Sequence, residues 1–303
     1  MKRILVTGAS GFIGHALVAH LAEHGYRVRA ASRRPPPRAG RVENVASPDL
    51  AGEADWVPFL AGVDAIVHAA ALAHTGDADE AAYDAVNHRA VVALARAAQG
   101  RVERLVFLSS IRAQSGPAAA AMLTEADDPR PTDAYGRAKL AAEEALARLG
   151  ATAVILRPVL VAGSQPRGNL AAMLRFAKLP LRFDGLTARR SLLARADLCA
   201  AVEHVLGDPR HIGETYIVAH PEPIGIGAMF AALREGLGRK RGLLSVPGPL
   251  LRAALGLPGL RDAKDRLFGD LVASPAKLMA TGWPPQISAH AALVEIGRVG
   301  KSP

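Results

Sequence analysis

The sequence predicts an α/β fold built on a doubly wound parallel sheet, with a smaller C-terminal lobe interleaved with it. Three observations predict this. Short apolar runs recur at Arg3–Thr7, Ala65–Ala69, Leu105–Ser109 and Ala153–Arg157, each the length of a buried strand. Helical periodicity fills the intervals, around 80–99 and 134–149. Beyond residue 160 the alternation loosens into helices separated by Gly/Pro turns such as Pro247-Gly248-Pro249. The expected boundary falls there, with a first domain over 1–160 and a second lobe over 161–303.

The first strand ends in Thr7-Gly8-Ala9-Ser10-Gly11-Phe12-Ile13-Gly14, and Ala16, Leu17, Val18 and Leu21 continue at helical spacing to Gly25. Strand, glycine loop and helix follow in that order, which is how a dinucleotide pyrophosphate is held. Gly8 serves the tight turn, Gly11 the approach of backbone amides to phosphate, and Gly14 the packing of helix on strand. Phe12 and Ile13 open the helix beside that phosphate. The spacing is G-x-x-G-x-x-G, a departure from G-x-G-x-x-G.

The second strand, Arg27–Ser32, ends where such folds read the ribose. An acid there would bind a 2′-hydroxyl, but this chain has Ser32, Arg33 and Arg34. A hydroxyl and a guanidinium suit a 2′-phosphate, so NADP(H) is favoured and NAD(H) stays open. The alternative is a solvated basic loop running into Pro35-Pro36-Pro37-Arg38. Asp49 and Leu50, after the next strand, are candidates to meet the adenine.

Tyr135 and Lys139 stand one helical turn apart, on one face of the helix that Asp133 or Thr132 can cap. A free phenol is a poor base near neutrality. An adjacent ammonium is expected to favour its phenolate and let it exchange a proton with a carbinol or carbonyl oxygen. Lys139 has a second expected duty at the nicotinamide ribose. Ser109-Ser110, after the Leu105–Leu108 run, places a hydroxyl at a strand's carboxyl end, where ligands of such sheets bind. Gln114–Pro131 and Gly163–Gly168 read as loops.

Composition narrows the alternatives. The chain has 303 residues, half of them hydrophobic, and a formal net charge of +9. The arginines are scattered, and with four tyrosines and seven phenylalanines there is little to stack on bases, so no nucleic-acid partner is expected. Cys199 is the sole cysteine, which excludes an internal disulfide. Histidine spacing offers no metal motif, and no metal is expected. No run approaches the ~18 apolar residues of a membrane span, and Lys2-Arg3 precedes too short an apolar run for a secretory signal. A cytoplasmic location without integral membrane contact is expected, and a homodimer is compatible with the sequence.

Thr7–Gly14, Val67-His68-Ala69-Ala70, Asn87, Leu108-Ser109-Ser110, Tyr135-x-x-x-Lys139, Arg157-Pro158 and Gly282-Trp283 together resemble an extended short-chain dehydrogenase/reductase of the nucleotide-sugar epimerase/dehydratase branch. The similarity spans nearly the whole chain. It implies a Rossmann-like NAD(P)-binding domain and a nucleotide-sugar lobe. By position it makes Ser110, rather than Ser109, the catalytic hydroxyl beside Tyr135 and Lys139. It places Ala69 and Ala70 along the nicotinamide half and makes Asn87 a support of the cofactor site. The branch's Asn-x-x-Gly-Thr is here Asn87-His88-Arg89-Ala90-Val91.

In the second lobe the resemblance assigns Asn169 to the nucleotide and Arg190 to the diphosphate, with Asp197 as a structural cap. Arg189-Arg190-Ser191-Leu192 is similar to a subgroup in bacterial surface-polysaccharide synthesis. Its members reduce UDP-4-keto-6-deoxy-N-acetylhexosamines or act as UDP-sugar 4-epimerases. The segment after Arg190 reads Leu193-Ala194-Arg195-Ala196, without the branch's usual aromatic and aspartate. The leading expectation is 4-keto reduction of a UDP-sugar, the alternative a UDP-glucose 4-epimerase-like reaction. A non-enzymatic dinucleotide sensor is a third reading.

Overall fold

The computed structural model describes residues 1–37, 40–73, 79–183, 185–240, 242, 244–255 and 261–300. The chain forms two compact units: Met1–Gln114, Asp128–Arg157 and Cys199–Tyr216 make one, and Ser115–Asp127, Pro158–Leu198 and Ile217–Pro303 the other. The exchange after Arg157 falls beside the expected boundary at 160, and Ser115–Asp127 and Cys199–Tyr216 interleave the two.

In the first unit β1 (Arg3–Thr7) leads to α1 (Phe12–Glu23), then β2 (Arg27–Ser32), β3 (Val42–Ala46) and β4 (Ala65–His68). Next come α2 (Glu80–Asp84) and α3 (Ala90–Ala98), β5 (Arg104–Leu108), α4 (Ala134–Arg148) and β6 (Ala153–Pro158). The seven-stranded sheet has the order β11-β6-β5-β4-β1-β2-β3, where β11 is Thr215–Val218. Pairing is parallel from β3 across to β6. Strand order reverses between β1 and β4, so the loops leaving those two strands flank the crevice where such sheets bind ligands.

Burial explains why the apolar runs become strands. Ile4, Leu5 and Val6 are fully buried, as are Ile66, Val67, Val106 and Phe107. Leu5, Ile66, Leu105 and Ile155 pack with Val91 and Leu94 of α3 and Ala142 and Leu146 of α4 into one cluster that also takes in Trp56. Cys199 is buried, as expected of a small core residue.

The interval 80–99 is not one helix. Asp79 caps α2 by accepting from the Ala82 amide at 2.8 Å, and a π turn over Ala85–Arg89 then separates α2 from α3. The wider turn carries Asn87 inward, where it is fully buried.

The second unit holds β7 (Leu160–Ala162), α5 (Gly168–Ala177), β8 (Leu181–Arg182), β9 (Arg189–Arg190) and β10 (Leu192–Ala194). The helix α6 (Arg195–Gly207) begins there and ends in the first unit. After β11 follow β12 (Ile224–Gly225), α7 (Ile226–Gly236), β13 (Leu244–Ser245), α8 (Gly248–Ala254), α9 (Arg261–Phe268), α10 (Ala276–Met279) and α11 (Ala289–Val299). Its strands pair only in twos: β7 with β10, β9 with β12 and β8 with β13. Strands this short carry no readable alternation, which is why the pattern loosens beyond 160. Met173, Leu192, Met229, Leu233, Leu293 and Ile296 form its core. Among the described residues no helix is long and apolar enough to cross a membrane.

Candidate active site

The glycine loop is shaped by contacts that only glycine permits. Gly8 has φ +67°, and a Cβ there would lie 2.7 Å from the Ala70 backbone. A Cβ on Gly14 would lie 2.1 Å from the Gly8 carbonyl oxygen. Gly11 closes the turn by donating its amide to Gly8 O at 2.8 Å, and the Gly11 carbonyl accepts from His15 as α1 begins. The first turn of α1, opening with Phe12 and Ile13, starts at this loop, and the positive end of the helix is turned to it.

The loop after β4 is tied to the glycine loop and held from behind. Ala70 donates its amide to Thr7 Oγ at 3.3 Å, and Thr7 Oγ is bonded to His68 Nδ1 at 3.0 Å. Asn87 Oδ1 accepts from the Leu72 amide at 2.8 Å and its Nδ2 donates to the Leu72 carbonyl at 2.9 Å. Ala69, whose amide donates to the Thr7 carbonyl at 3.3 Å, and Ala70 are thus held to β1, and Asn87 braces the same loop at Leu72. His68 is fully buried, as expected of a core histidine, and burial followed by the charge of Lys139 lowers its pKa to about 3.

Ser110, Tyr135 and Lys139 come together in the first unit. Ser110 stands just past β5 and caps the short turn Ile111–Ala113, its Oγ accepting from the Arg112 amide at 3.1 Å. Its hydroxyl is also near enough to Tyr135 to pull the pKa of that phenol down. Asp133 caps α4 by accepting from the Gly136 amide at 2.7 Å, and Arg112 clasps the same carboxylate, its Nε at 3.2 Å. Tyr83 of α2 packs edge-on against the Tyr135 ring at 6.2 Å. Lys139 is almost fully buried, donates from Nζ to the Leu108 carbonyl at 2.8 Å, and lies 4.6 Å from the Phe107 ring centre.

The electrostatics correct one expectation. Lys139 does not favour a phenolate here. Burial raises the Tyr135 pKa to about 12, against the lowering pull of Ser110 and Arg112 and with a further rise from Asp133 and Tyr83. Burial also lowers Lys139 to about 7, with Glu143 opposing. The pair sits in a dry environment that holds the phenol protonated.

Ser32 is buried at the end of β2, and its carbonyl accepts from the Ser47 amide at 2.9 Å. Arg33 and Arg34 are exposed, and Arg38 lies outside the described residues. Asp49 is exposed and caps its own turn, accepting from the Ala51 amide at 3.0 Å, while Leu50 packs against the core. An adenine contact for Asp49 competes with that turn.

In the second unit, Asn169 is exposed in the first turn of α5. Arg190 is 6% exposed, and its Nη2 donates to the carbonyls of Asp265 at 3.0 Å and Arg266 at 2.6 Å in α9. Arg189 is exposed and pairs with Asp270 at 3.3 Å. Asp197 caps no helix. Its carboxylate accepts from the Gln286 and Ile287 amides at 2.9 and 3.0 Å and braces that segment.

Sequence spacing did not reveal one titratable group. Among the described residues, His20, His24 and Glu203 bring ligand atoms within 4.8 Å of one another. His20 Nε2 is bonded to Glu203 at 2.7 Å and His24 Nδ1 to the His20 carbonyl at 2.7 Å, so an ion pair and a helix end account for them.

A glycine loop at a switch point, together with a Ser–Tyr–Lys set whose lysine is buried, defines a dinucleotide-binding oxidoreductase architecture. The family model of the NAD dependent epimerase/dehydratase family matches residues 4–219, and the chain belongs to that family. It is an enzyme of the extended short-chain dehydrogenase/reductase type. It is 30% identical over 302 residues to a UDP-glucose 4-epimerase of Vibrio cholerae, covering 94% of this chain and 92% of that protein. It is 27% identical to a 4-hydroxy-2-methyl-3-oxo-4-farnesyl-3,4-dihydroquinoline-1-oxide ketoreductase of Stigmatella aurantiaca, covering 83% of this chain and 78% of that protein. The fold matches UDP-glucuronic acid 4-epimerase from Bacillus cereus, solved with UDP-glucuronic acid and NAD, at a TM-score of 0.76, 21% identity and 99% coverage of both chains.

Proposed function

We propose that this protein is an NAD(P)-dependent oxidoreductase acting on a nucleotide-diphosphate sugar, with 4-keto reduction of a UDP-sugar in surface-polysaccharide synthesis as its leading reaction. The observation that carries the reading is the convergence of Ser110 and Tyr135 on the buried Lys139, whose Nζ lies 6.0 Å from the Tyr135 ring centre.

The residues present fit a dinucleotide. The space a Cβ would fill at Gly8 and Gly14 is taken by close backbone, and the start of α1 presents amides to an anion. Gly8, Gly11, Phe12, Ile13 and Gly14 would hold the pyrophosphate, Ser32 and Arg33 a 2′-phosphate, and Asp49 and Leu50 the adenine side. Ala69, Ala70 and Asn87 would shape the nicotinamide side. NADP(H) is favoured because no acid stands at Ser32; NAD(H) is the second choice. When bound, the nicotinamide supplies or accepts the hydride.

The chain's own residues handle the proton. Ser110 donates to the substrate oxygen and fixes its position. Tyr135, held as the phenol by burial, is in the form that protonates a carbonyl oxygen. Lys139 stands one turn along α4 from Tyr135, its Nζ 6.0 Å from the ring centre, where it would reach the nicotinamide ribose. In the second unit Asn169 and Arg190 are proposed to meet the nucleotide and the diphosphate.

The Vibrio cholerae relative favours a second reading, UDP-sugar 4-epimerisation, with the same residues. Incubation with UDP-sugars and UDP-4-keto sugars, with NADPH or NADH, separates the two. A reductase consumes one reduced cofactor per product. An epimerase interconverts UDP-sugars with no net cofactor change. Tyr135→Phe is expected to lower either turnover roughly 100- to 10,000-fold while leaving dinucleotide affinity nearly intact. Dinucleotide binding without turnover on either panel rejects the UDP-sugar reading.

A further inference from the structure

Beneath the reacting set lies a polar cluster that the proton transfer itself does not touch. Glu143 follows Lys139 by one turn on the same face of α4 and is 4% exposed. Its carboxylate accepts from the Ser109 hydroxyl and from Arg157, whose Nε lies 3.1 Å from both oxygens and whose Nη2 lies at 2.5 Å. Arg157 Nη1 donates to Gln114 Oε1 at 2.8 Å. All four side chains are buried. Ser109 and Gln114 bracket Ser110 and the turn it caps, and Leu108, just before them, accepts from Lys139. The Glu143 carboxylate thus grips Ser109 at one end of the segment that carries Ser110, and its partner Arg157 grips Gln114 at the other.

A buried ion pair is weak evidence of stabilisation, because desolvation offsets the attraction. Its placement points to another role. We propose that Glu143, held by Arg157 and Ser109, is a positioning residue that fixes the Leu108–Gln114 segment and sets a negative charge one helical turn from Lys139. The inference rests on the reading of Ser110, Tyr135 and Lys139 as the reacting set.

The groups around Lys139 agree with this. Tyr135 and Glu143 face it from α4, His68 from β4, the Phe107 ring and the Leu108 carbonyl from β5, and Arg157 stands behind Glu143 on β6. His68 is neutral across the physiological range. Arg157 is a second cation, so Glu143 is the carboxylate that opposes the loss of the Lys139 proton.

The test reads Lys139 directly, without substrate. The full-length protein, labelled at lysine 13Cε, is titrated by NMR, and the Lys139 signal is assigned by its loss in Lys139→Met. The parent midpoint is expected near 7. Glu143→Gln, which keeps the shape and removes the charge, is expected to lower it by about one unit or more. Glu143→Asp withdraws the charge by one methylene and is expected to fall between the two, which keeps the test decisive if the Gln variant does not fold. An unchanged midpoint in a folded Glu143 variant overturns the proposal. With a turned-over sugar nucleotide, the alkaline limb of kcat/KM is expected to move with the midpoint. A midpoint that moves while the limb stays supports the role of Glu143 and instead removes Lys139 from the reaction.

Discussion

Asn87 bonds both backbone polar groups of Leu72, accepting from its amide and donating to its carbonyl, so one buried side chain completes the pairing of a loop that has no strand partner there. An amide side chain matches a peptide group donor for acceptor, and few other side chains do. Asn87→Ala leaves both Leu72 groups unpaired and is expected to cost roughly 1–3 kcal/mol. Dinucleotide affinity is expected to fall with it, because the loop that carries Ala69 and Ala70 loses its anchor at Leu72. Urea unfolding and dinucleotide titration check this, and unchanged values in both would remove Asn87 from the site.

Cofactor choice follows from the end of β2. If Ser32 and Arg33 hold a 2′-phosphate, NADPH binds more tightly than NADH, and the gap narrows at high salt because the extra contact is charge-assisted. Ser32→Asp combined with Arg33→Ala is expected to reverse the order. Equal parent affinities for the two would show that Arg33, already exposed, stays in solvent.

The carbonyl partners of Arg190 sharpen its test. Arg190→Ala is expected to lower the melting temperature, since α9 loses two hydrogen bonds. If Arg190 also meets the diphosphate, UDP affinity falls roughly ten- to more than a hundred-fold, the equivalent of about 1.5–3 kcal/mol. Arg189→Ala is the control and is expected to alter neither strongly. A lower melting temperature with unchanged UDP affinity would assign Arg190 to α9 alone.

His68 gives the protein an acid-sensitive term. Its pKa lies near 3 in the folded state against an ordinary 6.5, so the unfolded chain takes up the proton first. The associated stability is fully present above pH 6.5 and is lost as pH falls toward 3. It amounts to something on the order of 4–5 kcal/mol. A neutral replacement, His68→Asn, is expected to flatten that part of the stability-against-pH curve whatever it does to stability at pH 7. An equally steep fall in the variant would place the proton uptake elsewhere.

Strands and chemistry were legible in the sequence to different depths. Ile4–Val6 and Val106–Leu108 announce themselves because full burial on both faces demands continuous apolar residues. The association of Ser110 with Tyr135 was legible because both stand at positions where such a sheet opens. The protonation of Tyr135 was not, since a neighbouring lysine is visible in sequence and desolvation is not. Side-chain bonds to backbone, Asn87 to Leu72 and Arg190 to α9, leave no signature because any residue supplies a carbonyl. Glu143 did leave one: a carboxylate one turn after Lys139, continuing the Tyr135 face.

The π turn at Ala85–Arg89 makes this stretch a counter that tolerates no miscount. A regular α-helix advances about 100° per residue. Deleting one residue there would let α2 run into α3 as a regular helix, with Val91, Leu94, Ala95 and Ala98 still lining the core, but the wider turn that carries Asn87 inward to Leu72 would be gone. The register between cofactor loop and core is thus stored as a number of residues, and a one-residue change in length would be felt more sharply here than most changes of side chain.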